Sequence, residues 1–117
     1  MVEAAAARPV ASHDAGHSRL RLIRTPGVGP VTYRQLLARF GSAEAALDAL
    51  PILARRGGGS APALADPRAV AQEVARVASL GARHLFLDDA DYPALLAELE
   101  SAPPALIVRG DASLAAR

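Results

Sequence analysis

The feature that most constrains this chain is the sequence Pro-Gly-Val-Gly-Pro at residues 26–30. Two glycines permit a tight backbone turn, and proline is tolerated at the first position of a helix because its missing N–H has no partner there. Apolar spacing predicts one short helix over 18–24 and another over 30–40. The pattern therefore predicts two helices joined by a tight hairpin, with Val28 pointing into the core.

Residues typical of helix ends predict where the next helices begin and end. Gly41 is expected to end the second helix, and Ser42 to cap a third over 43–50. Pro51 is expected to break that helix and to begin a short one over 52–56. Asp66 followed by a proline predicts the start of a helix over 66–80.

The two ends of the chain lead to different expectations. Residues 1–17 lack an apolar face and are expected to be a disordered leader, so the all-α domain is predicted over 18–80. Strands are predicted near 83–87 and 105–109, with a helix over 92–100 between them. This order is typical of the edge of a parallel α/β sheet. Because two short strands cannot close such a sheet, residues 81–117 are expected to be its truncated opening.

The composition limits the location and chemistry of the protein. The chain has no cysteine, which excludes disulfides and thiolate metal sites, and no apolar run approaches the ~20 residues of a membrane span. The cytoplasm is therefore the expected location. Residues 1–60 carry eight arginines against four acids, whereas residues 61–117 carry five against eight. This asymmetry favours two units with different surroundings.

Basic residues concentrate around the predicted hairpin. Residues 18–43 contain no acid, and free N–H groups at the start of the second helix can face a phosphate. Such a patch contacts phosphates without reading sequence. The alternative is a hairpin used only for packing, which the missing N–H of Pro30 favours. The predicted nucleic-acid-binding residues are Gly27, Val28, Gly29, Arg19, Arg21, Arg24, Arg34 and Arg39.

Other candidate sites have simpler explanations. The carboxylates in Asp-Asp-Ala-Asp at 88–91 lack the glycine and distal glutamate of a calcium loop, so turn formation and capping are expected. His13 and His17 have metal-ligand spacing for a helix, but their context favours a solvated tail. No serine lies in a nucleophile motif, and no phosphate-binding Walker loop is present. The sequence therefore predicts no enzyme, metal or cofactor.

A second motif carries a family resemblance. The sequence Asp-Tyr-Pro-Ala-Leu-Leu at 91–96 is followed by Pro103-Pro104, the apolar run 105–108 and Gly110. Together with the upstream hairpin and Phe-Gly-Ser at 40–42, their order and spacing over 20–110 resemble the DNA-processing protein A (DprA or Smf) family. The resemblance implies a helical domain of the sterile-alpha-motif-like (SAM-like) or helix-hairpin-helix kind, followed by the opening of a Rossmann-like domain.

The resemblance also implies a function and partners. It implies a protein that binds single-stranded DNA, protects incoming DNA during natural transformation and helps load the RecA recombinase. A homodimer is expected for the full-length protein, and the main DNA-binding loops are expected beyond Arg117. Two alternatives stay open: a helical protein-interaction module, and a DNA-binding appendage of a repair nuclease or helicase.

Overall fold

The computed structural model describes residues 16–58 and 63–110. Residues 1–15, where most of the predicted leader falls, lie outside the described residues. Gly16 and His17 are helical and belong to α1, which spans residues 16–24. The elements that follow are α2 (Pro30–Phe40), α3 (Ala43–Arg56), α4 (Pro67–Ser79), β1 (Ala82–Phe86), α5 (Ala94–Ala97) and β2 (Ala105–Arg109).

Local caps set the helix boundaries, as the sequence predicts. Gly41 adopts a left-handed conformation with φ 85°, and its N–H donates to Leu37 O at 2.8 Å. The Ser42 side chain accepts a hydrogen bond from the Ala45 N–H at 3.1 Å. Asp66 likewise accepts from the Arg68 N–H at 2.9 Å. These predicted caps are confirmed.

The predicted break at Pro51 is wrong. Helix α3 continues through Pro51 to Arg56, although an interior proline removes one helical hydrogen bond. Ala46, Leu47 and Leu50 pack into the helical core immediately before it. Packing of this face holds the helix in register, so the local preference of proline to end a helix is overridden.

Helices α1, α2 and α3 enclose one hydrophobic core. Leu22 from α1, Tyr33 from α2 and Ala46 from α3 are each fully buried in it. Val28, from the turn between α1 and α2, is partly buried and packs against this cluster. The hairpin prediction is therefore confirmed: two helices and their turn share a single core.

The two strands pair in the opposite sense from the one predicted. β1 and β2 are antiparallel, with Leu85 opposite Leu106 and Phe86 opposite Ala105, so the predicted parallel arrangement is wrong for this pair. A parallel crossover usually runs through a substantial helix that packs on the sheet. The connection here contains only the single turn α5, shorter than the predicted helix over 92–100. Prolines at 93, 103 and 104 limit that helix, and the chain reverses.

The strand pair lies against the helices. Leu20, Val70 and Phe86 form one buried cluster that joins α1, α4 and β1. On the other face of the pair, Leu85 and Tyr92 form a smaller cluster. A shared core therefore crosses the predicted domain boundary at residue 80. In the described part of the chain, no helix is both long and apolar enough to cross a membrane.

Candidate nucleic-acid interface

The hairpin turn is fixed by hydrogen bonds around a buried threonine. Thr25 is 2% exposed, and its hydroxyl donates to Arg21 O at 2.8 Å while accepting the Ala65 N–H at 3.1 Å. The Val28 N–H donates to Thr25 O at 3.1 Å. Gly27 has φ 88°, a region that favours glycine. Sequence reasoning missed Thr25, since its partner Ala65 lies 40 residues away.

The turn leaves the start of α2 open. Gly29 is the N-cap residue, so no side chain can accept the first N–H groups of the helix. Its carbonyl accepts the Tyr33 N–H at 2.8 Å. The N–H groups of Val31 and Thr32 precede the first intrahelical bond and remain available to an anion. Gly27, Gly29 and Val31 are exposed.

Two of the predicted phosphate-binding arginines are neutralised by ion pairs. Arg19 lies 2.6 Å from Asp88 and 3.5 Å from Asp89, and its guanidinium stacks over the Phe86 ring at 4.4 Å. Arg24 donates to both oxygens of Glu73, at 2.9 and 2.7 Å. Both side chains hold the helices against later segments of the chain.

The other three arginines have no carboxylate partner among the described residues. Arg21 donates to Ala65 O at 2.7 Å. Arg34 donates to Ala97 O at 2.7 Å and to Leu99 O at 3.1 Å. Arg39 is exposed and lies over the ring of Phe40 at 5.1 Å. No carboxylate in the described part of the chain therefore compensates the charges of these three arginines.

Residues 18–43 contain no acid, but acidic side chains from later in the chain lie beside them in the structure. Glu73, Asp88 and Asp89 arrive from α4 and from the loop after β1. No contact in the structure tests whether the eight predicted residues bind DNA, so that assignment stays a prediction. The structure divides the five arginines into a paired group and an uncompensated group.

A polar cluster of Arg24, Glu73 and His84 connects α1, α4 and β1. His84 Nε2 lies 2.7 Å from Glu73 Oε2, the same carboxylate that binds Arg24, and the His84 side chain is 5% exposed. The hydrogen bond from Arg24 lowers the pKa of Glu73 to about 2; desolvation opposes this, and His84 reinforces it. Glu73 is therefore ionised at neutral pH, and its bonds to Arg24 and His84 connect α1, α4 and β1.

The three carboxylates at 88–91 each bind a different main partner within the fold. Asp89 accepts the Phe86 N–H at 2.7 Å, Asp88 pairs with Arg19, and Asp91 pairs with Arg83 at 3.1 Å. Within residues 16–58 and 63–110, no three acidic or histidine side chains form a group that could hold a metal ion.

The elements α1, turn and α2 define a helix–hairpin–helix domain, to which a two-stranded sheet is attached. A family model described as the DprA-like N-terminal HHH domain matches residues 13–75, more than half of the chain. The chain therefore belongs to the DprA family. The match includes α1 to α3 and most of α4, whereas the strand pair lies outside it. No curated protein matches the chain.

Proposed function

We propose that this DprA-family protein binds single-stranded DNA through its exposed hairpin, without sequence preference and without catalysis. The observation that carries the proposal is the open start of α2 at Gly29, within an exposed turn. A helix start without a side-chain cap offers N–H donors and a positive dipole end to an anion. A DNA phosphate supplies an anion of this kind.

The uncompensated arginines support the same surface. Arg39 is exposed on α2, the helix that follows the turn, and makes no ion pair with any described residue. Within the described ranges Arg21 and Arg34 bind only carbonyl oxygens, so no carboxylate there offsets their positive charge. Their charge raises the local concentration of a polyanion, whereas Arg19 and Arg24 contribute little because carboxylates already bind them.

Family membership extends the proposal from binding to a role. DNA-processing members are expected to protect incoming DNA during natural transformation and to help load RecA, in the cytoplasm and as homodimers. Residues 81–117 are proposed to open the Rossmann-like domain of such a protein, with an antiparallel pair as its first two strands.

A substitution at Gly29 separates DNA binding from folding. Gly29 has an extended conformation, φ −89° and ψ −175°, and an added Cβ meets nothing within 4 Å. Gly29→Asp places a favourable cap at the start of α2, so stability should hold or rise by up to ~1 kcal/mol. The same carboxylate occupies the open N–H groups and repels phosphate. Affinity for a labelled oligothymidine at low salt should therefore fall roughly three-fold or more.

Gly29→Asn is the matched control, since it caps the helix without charge and should weaken binding less. Arg39→Gln should lower the slope of log affinity against log salt by roughly 0.7, as expected for one lost single-strand phosphate contact. Arg76→Gln removes an exposed arginine from α4 and should leave the slope unchanged. Equal affinity for Gly29→Asp and the parent protein, or binding that ignores salt, refutes the proposal.

A further inference from the structure

Arg24 and Glu73 form an ion pair directly before the exposed turn. Arg24 is the last residue of α1, and its side chain is 46% exposed. Its Nε donates to Glu73 Oε1 at 2.9 Å, and its Nη2 donates to Oε2 at 2.7 Å. A guanidinium presents the same two parallel donors to a phosphate. Glu73 therefore occupies the part of Arg24 that binds phosphate.

Glu73 has a second partner besides Arg24. Its Oε2 also lies 2.7 Å from Nε2 of His84, whose side chain is 5% exposed. A histidine that carries its proton on Nε2 donates to this oxygen whether the ring is neutral or charged. If Arg24 turns away, the carboxylate of Glu73 therefore keeps a hydrogen-bond partner. This lowers the cost of opening the ion pair, since the carboxylate is not left unpaired.

The ion pair of Arg19 is built differently. The Arg19 side chain is only 17% exposed, and its guanidinium contacts Asp88, Asp89 and the ring of Phe86. Loss of one carboxylate still leaves it the other carboxylate and the ring. Arg24, by contrast, has a single carboxylate partner among the described residues and a side chain that solvent reaches. Of these two arginines, Arg24 is therefore the one that can exchange its carboxylate for another anion.

We propose that Glu73 is an autoinhibitory ligand of Arg24, which keeps this arginine from binding a phosphate of single-stranded DNA. The inference rests on the proposed DNA binding at the hairpin, which Arg24 directly precedes. The carboxylate and the phosphate compete for the same two N–H donors. Glu73 is ionised at neutral pH, so the competition operates there. Removal of the charge of Glu73 frees Arg24 to bind the DNA.

Salt titrations of DNA binding test the competition. Affinity for a labelled oligothymidine is measured at several salt concentrations. Glu73→Gln should raise affinity at low salt about three-fold and steepen the slope of log affinity against log salt by roughly 0.7, as for one added single-strand phosphate contact. The double variant Arg24→Gln, Glu73→Gln has the net charge of the parent protein and should return the slope to the parent's value. A merely structural ion pair predicts the opposite for Glu73→Gln, a lower affinity.

Asp88→Asn is the matched control. It also removes one negative charge from an arginine ion pair, but Arg19 keeps Asp89 and the Phe86 ring, so the slope should stay unchanged. Equal steepening in Asp88→Asn and Glu73→Gln shows a general effect of charge and overturns the inference. Steepening that persists in the double variant overturns it as well, because Arg24 is then not the added contact.

Circular dichroism at the assay temperature checks that each variant is folded. If Glu73→Gln is unfolded, Glu73→Asp replaces it: the charge stays but the carboxylate is withdrawn by one methylene, so a smaller rise in affinity is expected, and no rise overturns the inference.

The same titrations separate this inference from the proposed function. If the parent protein binds in a salt-dependent manner and no Glu73 variant binds more tightly, the autoinhibition is refuted and the proposed function stands. Binding by Glu73→Gln but not by the parent supports the autoinhibition and refutes hairpin binding by the parent protein. Absence of binding in every variant overturns both.

Discussion

The helical region and the strand pair differ in how they are stabilised. Helices α1 to α3 enclose their own core around Leu22, Tyr33 and Ala46. The strand pair has a smaller cluster of its own, and its other face relies on Leu20 and Val70 from the helices. A two-stranded sheet alone is marginal in water. Helices α1 to α3 therefore have a core of their own, whereas one face of the strand pair is covered by side chains from the helices.

The largest expected effect is at the joint between these regions. Leu20→Ala removes a fully buried side chain that touches both, so the free energy of unfolding should fall by about 2–5 kcal/mol. Urea denaturation followed by circular dichroism measures it. Leu95→Ala, at an 80% exposed site, should change stability by less than about 0.5 kcal/mol. If the two variants lose equal stability, the shared core does not join the regions.

The next effect concerns the polar cluster at the same joint. Glu73→Gln weakens its bonds to Arg24 and His84 and should cost about 1–2 kcal/mol at neutral pH, a modest value because water reaches Arg24. The folded-state pKa of about 2 lies below the ordinary 4.5. The contribution of Glu73 is therefore fully present above about pH 4.5 and is lost as pH falls toward 2.

Urea denaturation at a series of acidic pH values tests this linkage. Stability of the parent protein should fall between pH 4.5 and 2 more steeply than that of Glu73→Gln. Glu100→Gln, which alters an exposed carboxylate, should keep the parent's pH dependence. If the stability of Glu73→Gln falls with pH in parallel with that of the parent protein, Glu73 makes no pH-dependent contribution to stability.

The smallest effects compare one tyrosine from each region. The Tyr92 hydroxyl donates to Pro103 O at 2.8 Å, so Tyr92→Phe should cost about 0.5–1.5 kcal/mol. The buried Tyr33 hydroxyl has no partner among the described residues, so Tyr33→Phe should be nearly neutral or stabilising. Thermal melts of the two variants measure the difference. A greater loss for Tyr33→Phe reverses the expected order.

Local signals in the sequence predicted most of the helical region. Ser42, Asp66 and Gly41 set helix ends through contacts within a few residues, so their roles follow from residue type. The predicted break at Pro51 was wrong because the preference of proline to end a helix was weaker than the packing of the neighbouring apolar face. The family resemblance, carried by spaced motifs, is confirmed by the match over 13–75.

Contacts between distant residues could not be predicted in the same way. Arg24 meets Glu73 across 49 residues, and Arg19 meets Asp88 across 69. Charge counted along the sequence therefore overstated the free positive charge at the hairpin. The direction of β2 was also missed, because the pattern of residues 92–100 predicted a longer helix, of the kind that connects parallel strands, than the one that forms.

The most direct test of DNA binding at the hairpin is to follow backbone amide resonances while single-stranded DNA is added at low salt. We expect the largest shifts at Gly29, Val31 and Thr32, with smaller ones near Arg39. Amides of β1 and β2 should move little, and added salt should reverse the shifts. Shifts concentrated in residues 82–109, or none at low salt, would contradict the account.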